Sequence, residues 1–273
     1  MTRTLTIRGV RYAFDETGSG PLVLFGHGLF FDREMFRAQS DALSGTNRCV
    51  RIDWPGHGQS GWLADGWRID DLVDDTLALI DALGEQRVIL VGLSQGAAVF
   101  TRTALAAPHR VRALVIMNST PLRPVDSVRA GMLENSAELS TGDEARIEAV
   151  FRRVAGRMFC AHTREHHREL VEQALVRFRR HPVEGLAHAV KLGLSYESIV
   201  ERLDELTMPV GVIWGADDPI STLDIADLYT RKSCNAQRHL IAHAGHCAPL
   251  EQPVAVNTAL ITFLHGLHEA SHC

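Results

Sequence analysis

The sequence predicts an α/β fold with a mostly parallel central sheet and helices on both faces. Short apolar runs that suit buried strands recur along the chain, near residues 22–25, 49–52, 88–91, 111–117, 210–214 and 238–241. Between most of these runs the apolar residues follow a helical period instead, as in residues 72–83. Strands and helices that alternate in this way form parallel sheets covered by helices.

The first dozen residues alternate like a strand and predict an antiparallel edge hairpin that leads into this sheet. The alternation of strands and helices then continues until Pro121. Residues 121–207 have no strand run but contain amphipathic helical stretches, for instance 144–159 and 164–178, and the strand pattern resumes at Pro209. We therefore predict a core formed by residues 1–120 and 208–273, and a helical cap, residues 121–207, inserted over one end of the sheet.

Composition narrows the class of protein. The chain has 273 residues, of which 45% are hydrophobic and 22% charged, so it can bury one large core with a modest insertion. With a net charge of −5 and no long basic stripe, neither nucleic acid nor an anionic membrane is an expected partner. No signal peptide and no apolar stretch of about 18 residues is recognisable. These observations predict a cytoplasmic protein, and they leave the oligomeric state open.

Cysteines and histidines suggest no metal site and no cofactor. The five cysteines have no CxxC spacing, and their odd number argues against a disulfide framework. His162, His166 and His167 lie close in sequence, and further candidate ligands crowd the C-terminus, namely His265, His268, His272 and Cys273. No carboxylate supports either group, so a metal is not predicted.

The segment Gly92-Leu93-Ser94-Gln95-Gly96 indicates a nucleophilic serine. It lies where a predicted strand, residues 87–91, turns abruptly into a predicted helix, residues 97–106. Such a turn strains the serine backbone and exposes its hydroxyl, and side chains at positions 92 and 96 would collide with the neighbouring strand or helix. Cys247 is an alternative nucleophile, but it lacks a turn and oxyanion donors of its own.

A serine nucleophile needs a base, and the base needs an acid to orient it. His246 follows the final predicted strand, and the adjacent Asp217 and Asp218 follow the strand before it. Carboxyl ends of parallel strands meet at one edge of a sheet, where ligands bind. The order Ser, Asp, His is the order expected of this topology.

Five motifs in this order resemble those of a known family, the cap-bearing α/β-hydrolases, over nearly the whole chain. They are His27-Gly28-Leu29-Phe30, Asp53-Trp54-Pro55-Gly56-His57-Gly58-Gln59-Ser60, the elbow at Ser94, Gly215-Ala216-Asp217-Asp218, and Gly245-His246 with Pro249, Glu251 and Pro253. The resemblance implies Ser94 as nucleophile, His246 as general base and acid, and Asp218 as the orienting acid. It also implies that the backbone amides of Leu29 and Gln95 form the oxyanion hole.

Asp218 is favoured over Asp217 because Pro219 restrains it to an extended backbone, whereas Asp217 suits a solvent-facing turn. Asn118, where some relatives keep their acid, cannot supply a negative charge and is interpreted as a hydrogen-bonding residue at a strand end. Other polar residues of the motifs are interpreted as structural: His27 braces the oxyanion loop, Asp53, His57 and Ser60 hold a tight turn, and Glu251 starts the last helix.

A serine in the elbow excludes the family's epoxide hydrolases and dehalogenases, which attack with an aspartate. The chain looks most similar to the 3-oxoadipate enol-lactonase and carboxylesterase-like branch, although Gln95 replaces the methionine common there. This resemblance implies hydrolysis of a small carboxylic ester or lactone through an acyl-enzyme intermediate. Open alternatives are a C–C bond (meta-cleavage product) hydrolase, a cofactor-free perhydrolase and a non-enzymatic small-molecule receptor. Phe30, Trp54 and Trp62 are expected to contribute an apolar wall to the substrate pocket.

Overall fold

The structure is a computed structural model that describes residues 2–269. Its strands form one sheet in the order β1-β2-β4-β3-β5-β6-β7-β8. The strands are β1 (Arg3–Ile7), β2 (Val10–Thr17), β3 (Leu22–Gly26), β4 (Arg48–Ile52), β5 (Val88–Leu93), β6 (Val111–Met117), β7 (Val210–Gly215) and β8 (Ala236–Ile241). The neighbouring pairs β4–β3, β3–β5, β5–β6, β6–β7 and β7–β8 are parallel, whereas β2 pairs antiparallel with β1 and β4. The predicted fold class and edge hairpin are therefore confirmed.

Helices cover both faces of the sheet. They are α1 (Arg37–Leu43), α2 (Ile69–Ala82), α3 (Gln95–Ala106), α4 (Asp126–Leu139), α5 (Glu144–Met158), α6 (Ala161–His166), α7 (Arg168–Phe178), α8 (Val183–Lys191), α9 (Leu223–Lys232), α10 (Ala248–Glu251) and α11 (Pro253–Glu269), with 3₁₀ turns at Arg33–Phe36, Pro108–Arg110, Leu192–Ser195 and Val200–Glu205. Alternate side chains of β3 enter different cores: Leu22 and Leu24 pack with α2, α3 and α9, and Val23 and Phe25 pack with α1 and α11.

Five helices, α4 to α8, lie between β6 and β7, and in this part of the described chain there is no strand. Apolar side chains of α5, α7 and α8 extend the core on the α1 and α11 face of the sheet. The helices also bind each other through polar contacts, for example from Ser136 Oγ on α4 to the carbonyl of Ala187 on α8, at 2.9 Å. Among the described residues no helix is both long and apolar enough to cross a membrane.

Candidate active site

Ser94 sits at the junction of β5 and α3 in a strained backbone conformation, with φ 51° and ψ −113°. Such a conformation is unfavourable for a side-chain-bearing residue and persists only where neighbouring structure enforces it. Two hydrogen bonds from the β6 side do so: the Ser94 amide donates to the Met117 carbonyl at 2.9 Å, and Ser119 Oγ donates to the Ser94 carbonyl at 2.8 Å. The turn therefore holds the Ser94 side chain at the carboxyl edge of the sheet.

The two glycines of this turn have no room for a side chain. A Cβ at position 92 would lie 2.5 Å from the backbone nitrogen of Ala97, and one at position 96 would lie 2.0 Å from the carbonyl oxygen of Gly26. Both contacts are with backbone atoms, which cannot rotate away as a side chain can. The close approach of strand and helix that exposes the serine therefore requires glycine at both positions.

His246 and Asp218 form a buried pair beside this turn. His246 Nδ1 lies 2.9 Å from Asp218 Oδ2, and the two residues are 3% and 7% exposed. Burial acts to raise the pKa of Asp218, but its interaction with His246 and hydrogen bonds from Asn118 Nδ2 (2.8 Å) and the Ile220 amide (2.7 Å) outweigh burial and lower this pKa. The carboxylate is therefore ionised at neutral pH and can orient the imidazole.

Asp217 takes no part in this pair. Its side chain is exposed, and it lines a separate cavity together with Cys160 and His162. Its amide donates to the Ala244 carbonyl at 2.9 Å, which fixes the turn that directs Asp218 toward the histidine. Of the two adjacent carboxylates, the structure thus brings Asp218 to His246.

Asn118 does more than the strand-end role inferred from the sequence. It is fully buried, and its Nδ2 donates to Asp218 Oδ2 and, at 3.3 Å, to the Gly245 carbonyl, while its Oδ1 accepts from the Gly215 amide at 3.3 Å. One amide side chain thereby joins the acid loop to the histidine loop. Its positive φ of 45° is a conformation that asparagine tolerates better than most residues.

Ser94 and His246 open into one cavity of about 370 Å³. Among the described residues no hydrogen bond joins the Ser94 hydroxyl to His246; catalytic hydrogen bonds often tighten only when substrate binds. The residues that line the cavity are Leu29, Ser94, Gln95, Ser119, Thr120, Leu122, Arg123, Pro124, Val125, Val128, Met132, Ala189, Val190, Gly193, Tyr196, Ile220, Ser221, Thr222, Ile225 and His246.

The loop after β3 passes close to the elbow. A Cβ on Gly28 would lie 3.4 Å from the Cβ of Ser94, so the loop backbone lies against the nucleophile turn. Leu29, the next residue, and Gln95 both line the cavity. Within the described residues neither of their backbone amides donates to a protein acceptor, so both are available to an oxyanion.

Three buried histidines hold this loop, two from the predicted motifs and one, His181, from the cap. Each ring accepts a hydrogen bond from one backbone amide and lies within hydrogen-bonding distance of one backbone carbonyl, so each is a neutral tautomer that donates to that carbonyl. His27 lies between the Trp54 amide (3.0 Å) and the Gly28 carbonyl (2.8 Å). His57 lies between the Phe30 amide (3.2 Å) and the Pro55 carbonyl (3.1 Å). His181 lies between the Gly58 amide (2.8 Å) and the Phe30 carbonyl (2.8 Å).

Burial lowers the pKa of all three rings, to about 4 for His27 and well below the usual value for His57. A proton on any of them would also abolish the lone pair that accepts an amide hydrogen. The loop geometry therefore depends on neutral imidazoles, in agreement with the structural role inferred for His27 and His57.

We expect the free energy of unfolding to fall as the pH drops below about 6.5, the pKa of histidine in unfolded chains. Below this pH the histidines of the unfolded protein take up protons, whereas the buried rings of the folded protein stay neutral. The stabilisation that comes from the neutral rings is therefore present above about pH 6.5 and is lost toward the His27 pKa of about 4. Each histidine contributes up to about 1.4 kcal/mol per pH unit in that window. Urea unfolding between pH 7.5 and 4.5 measures this dependence.

The variant His181→Gln should weaken the pH dependence of the unfolding free energy, because one of the three protons is then no longer taken up. Exposed His109 provides the matched control, since His109→Gln removes a histidine that makes none of these contacts. Burial raises the pKa of Asp53 to about 6, which opposes the histidines below that pH, so the comparison of variants decides. A pH dependence that is the same in His181→Gln as in the unmodified protein would contradict the neutral assignment of His181.

Asp53 and Ser60 hold the neighbouring loop, as the sequence suggested. Asp53 is fully buried, accepts hydrogen bonds from the amides of Arg33 and Gln59 (both 2.8 Å), and forms an ion pair with the Arg33 guanidinium. Ser60 Oγ donates to the Asp53 carbonyl at 2.7 Å. None of these side chains lines the cavity that contains Ser94.

Glu251 has a role that sequence reasoning missed. Its Oε1 accepts hydrogen bonds from the amides of Gly245 (2.8 Å) and Cys247 (3.2 Å), which flank His246. Its Oε2 accepts from the Cys160 amide (2.9 Å) and from Thr163 Oγ1 (2.7 Å), both in the cap. The residue therefore links the histidine loop to the cap rather than only starting a helix.

The expectation that Phe30, Trp54 and Trp62 line the pocket is wrong for this cavity. Phe30 is 2% exposed and packs against two phenylalanine rings of the cap. Trp54 is fully buried against Phe100, and Trp62 packs against Gly185 of the cap. Large aromatic side chains gain most from complete burial, and a sequence does not show in which direction each one points.

Residues 2–269 contain no group of three or more His, Cys, Asp or Glu side chains that could hold a metal ion. The rings of His162 and His166 stack 4.5 Å apart, and that of His243 lies 4.9 Å from His162. Stacked rings present faces rather than nitrogen lone pairs to one another. The side chains of His268, His272 and Cys273 lie outside the described part of the chain.

A parallel sheet whose strained elbow serine opens into one cavity with a buried His–Asp pair defines a class of hydrolase-type proteins, not a single activity. The chain belongs to the alpha/beta hydrolase fold family, whose sequence model matches residues 21–253.

Relatives of known name share this fold and differ in reaction. The chain is 28% identical over 253 residues to a dihydrolipoyllysine-residue acetyltransferase component of an acetoin cleaving system from Pseudomonas putida, covering 90% of this chain and 64% of that protein. It is 24% identical to 3-oxoadipate enol-lactonase 1 of Acinetobacter baylyi, covering 86% and 85% of the two chains. A thermophilic esterase from Thermogutta terrifontis, solved with malate bound, superposes with a TM-score of 0.91 at 25% identity, covering 98% and 99%.

Proposed function

We propose that this protein is a serine hydrolase that cleaves a small carboxylic ester or lactone through an acyl-enzyme intermediate. The observation that carries the proposal is the convergence of Ser94 and His246 on one cavity, with the His246 ring bound to the Asp218 carboxylate. An exposed nucleophile, a base and an orienting acid are the groups that acyl transfer to water requires.

In the proposed reaction His246 accepts the proton of the Ser94 hydroxyl as its oxygen attacks the carbonyl carbon. The backbone amides of Leu29 and Gln95 stabilise the negative charge that develops on the carbonyl oxygen. His246 then protonates the departing alkoxide, and a water molecule activated by the same ring hydrolyses the acyl-serine and regenerates Ser94. Asp218 stays ionised throughout and stabilises the transient imidazolium.

The cavity lining supports a small substrate with an apolar body. Leucine, valine, isoleucine and methionine account for eight of its 20 lining residues, and Arg123 is the only Arg, Lys, Asp or Glu that lines it among the described residues. An exposed arginine in the lining favours substrates that also carry a carboxylate. The name of the 3-oxoadipate enol-lactonase relative describes a substrate of this kind.

The experiment that tests the proposal is a panel of p-nitrophenyl esters and lactones of graded acyl length, with Ser94→Ala as the blank. Repeated turnover that depends on Ser94 supports the proposal. A receptor would release at most one slow equivalent of p-nitrophenol per protein molecule, and that result would refute an enzymatic function. Two further assays distinguish the other reactions of this fold: product analysis after incubation with a meta-cleavage (C–C bond) substrate, and a test for peracid formation.

We expect iodoacetamide to leave the activity intact at pH 7 to 8, whereas a serine-directed fluorophosphonate abolishes it. Burial, followed by the charges of Glu251 and Asp218, raises the pKa of the Cys247 thiol well above its usual value, so that Cys247 lacks the thiolate that alkylation requires. Peptide mass spectrometry after each reagent measures which side chains react.

Exposed Cys234 is the internal control, because its alkylation proves that the reagent was active. Alkylation of Cys247 in parallel with loss of activity, together with insensitivity to the fluorophosphonate, would transfer the role of nucleophile from Ser94 to Cys247.

A further inference from the structure

The side chain of Gln95 is a polar group without a partner inside the candidate active site. The residue is 5% exposed and lines the same cavity as Ser94 and His246. Its Nε2 is buried and has no hydrogen-bond partner among the described residues. This side-chain amide is chemically distinct from the Gln95 backbone amide, which we assign to the oxyanion hole.

The other buried polar side chains of α3 are satisfied. Thr101 Oγ1 donates to the Ala97 carbonyl at 2.7 Å, Thr103 Oγ1 donates to the Val99 carbonyl at 3.0 Å, and Arg102 Nη1 donates to the Ala98 carbonyl at 3.0 Å. A buried amide that lacks its hydrogen bonds is unfavourable relative to an apolar side chain of the same shape. A methionine or leucine at position 95 would avoid that cost, so the glutamine is unfavourable unless a ligand satisfies it.

Three other polar side chains of the cavity wall are already engaged by protein groups. Ser119 Oγ donates to the Ser94 carbonyl, Thr120 Oγ1 accepts from the Leu122 amide at 3.1 Å, and Thr222 Oγ1 donates to Asp224. Most of the remaining lining is apolar. A substrate that carries a second polar group near its scissile bond therefore finds the Gln95 amide free to bind it.

We infer that Gln95 is a specificity-determining residue whose side-chain amide hydrogen-bonds a hydroxyl, carbonyl or ether oxygen of the substrate next to the scissile ester. The inference rests on the proposed function and narrows its substrate class to esters or lactones that carry such a group. Proximity supports it, since Gln95 directly follows Ser94 and lines the same cavity. A site built to bond a polar group rejects the analogue that lacks it, because the site amide is then left unpaired.

The experiment compares matched ester pairs in the unmodified protein and in Gln95→Met. Ethyl 3-hydroxybutyrate against ethyl butyrate tests the acyl side, and 2-hydroxyethyl butyrate against propyl butyrate tests the leaving-group side. We expect kcat/KM to favour the polar ester in one pair, and Gln95→Met to lower that ratio about tenfold or more. The ratio of kcat/KM within each ester pair is the readout, because the Gln95 backbone amide acts on both esters alike, whereas its side-chain amide binds only the polar one. Gln95→Leu should give the same change.

The thermal unfolding midpoint separates recognition from stability, because removal of an unsatisfied buried amide should leave it equal or higher. Met132→Leu is the control variant, since it changes an apolar side chain of the same cavity and should leave the ratio as it is. Equal ratios for the unmodified protein and Gln95→Met in both ester pairs would overturn the inference.

Failure of the proposed function gives a different result, namely ester hydrolysis that persists in Ser94→Ala or is absent from the unmodified protein. In that case calorimetry tests the role of the Gln95 side chain without turnover. It measures the binding of ethyl 3-hydroxybutyrate and of 2-hydroxyethyl butyrate to Ser94→Ala, with and without Gln95→Met. Tenfold weaker binding of either ester in the double variant supports the inference, and unchanged affinity for both overturns it.

Discussion

We expect Ser94→Ala to lower kcat on any ester substrate by about 10⁴-fold or more, while the fold stays intact. The change removes the hydroxyl oxygen that forms the acyl-enzyme in the proposed reaction, and the turn keeps Gly92, Gly96 and both hydrogen bonds from the β6 side. Alanine also has a shorter side chain, so nothing new collides. Initial rates on p-nitrophenyl esters and circular dichroism of the same preparation measure both expectations.

Ser119→Ala is the matched control for this change, because it removes a second hydroxyl that lines the same cavity but takes no part in the proposed reaction. Its loss of kcat should be far smaller than that of Ser94→Ala. Substantial activity in a correctly folded Ser94→Ala protein would contradict the assignment of the nucleophile.

Asp218→Asn should lower kcat/KM by about 10³- to 10⁴-fold. An amide at this position cannot stabilise the imidazolium that forms on His246, and its Nδ2 can select the tautomer in which Nδ1 is the acceptor. The low pKa of Asp218 means that the carboxylate exerts its effect over the whole range from weakly acidic to alkaline pH. Full pH profiles of both kinetic parameters are the measurement.

Asp217→Asn provides an isosteric control at the next position in the chain. Because Asp217 is exposed and does not contact His246, this variant should stay within about threefold of the unmodified protein. If Asp217→Asn were the more damaging of the two, the acid would have to be reassigned to Asp217.

The sequence predicted the sheet, the elbow and the acid loop, because each of these depends on neighbouring residues. Two glycines two positions away from Ser94 require a close strand–helix junction, and Pro219 restricts Asp218 alone. Local constraints of this kind can be inferred without knowing what lies on the other side of the molecule.

Contacts between distant segments were not predictable in the same way. Asn118 contacts Asp218 across 100 positions of sequence, and Glu251 contacts Cys160 across 91. His181 belongs to no recognisable sequence motif, yet its Nε2 lies within hydrogen-bonding distance of the Phe30 carbonyl, 151 positions away. The residues that line the cavity depend on how the cap helices dock, which is why aromatic residues near the motifs were mistaken for its wall.

The predicted helical stretch 164–178 shows the same effect on a smaller scale. The structure divides it at His167, whose backbone leaves the helical region with φ −133° and ψ 49°. No glycine or proline signals this break. On one side Glu251 binds Thr163 of α6, and on the other the buried side chains of α7 pack into the core, so tertiary contacts rather than local propensity divide the helix.

The hydrogen bonds from Cys160 and Thr163 to Glu251, with the bond from the His246 amide to the Met158 carbonyl (3.0 Å), tie the helical segment between β6 and β7 to the loop that carries His246. Residues 158–163 lie in the helical segment between β6 and β7, but these hydrogen bonds hold them to Glu251 and to the loop that carries His246. The segment from Ser119 to Met132 contributes eight of the 20 lining residues and makes none of these bonds, so we expect recombination between relatives to exchange it more freely than the end of α5. A protein family that diversifies its substrates in this way would change one end of its cap and inherit the other end together with its histidine.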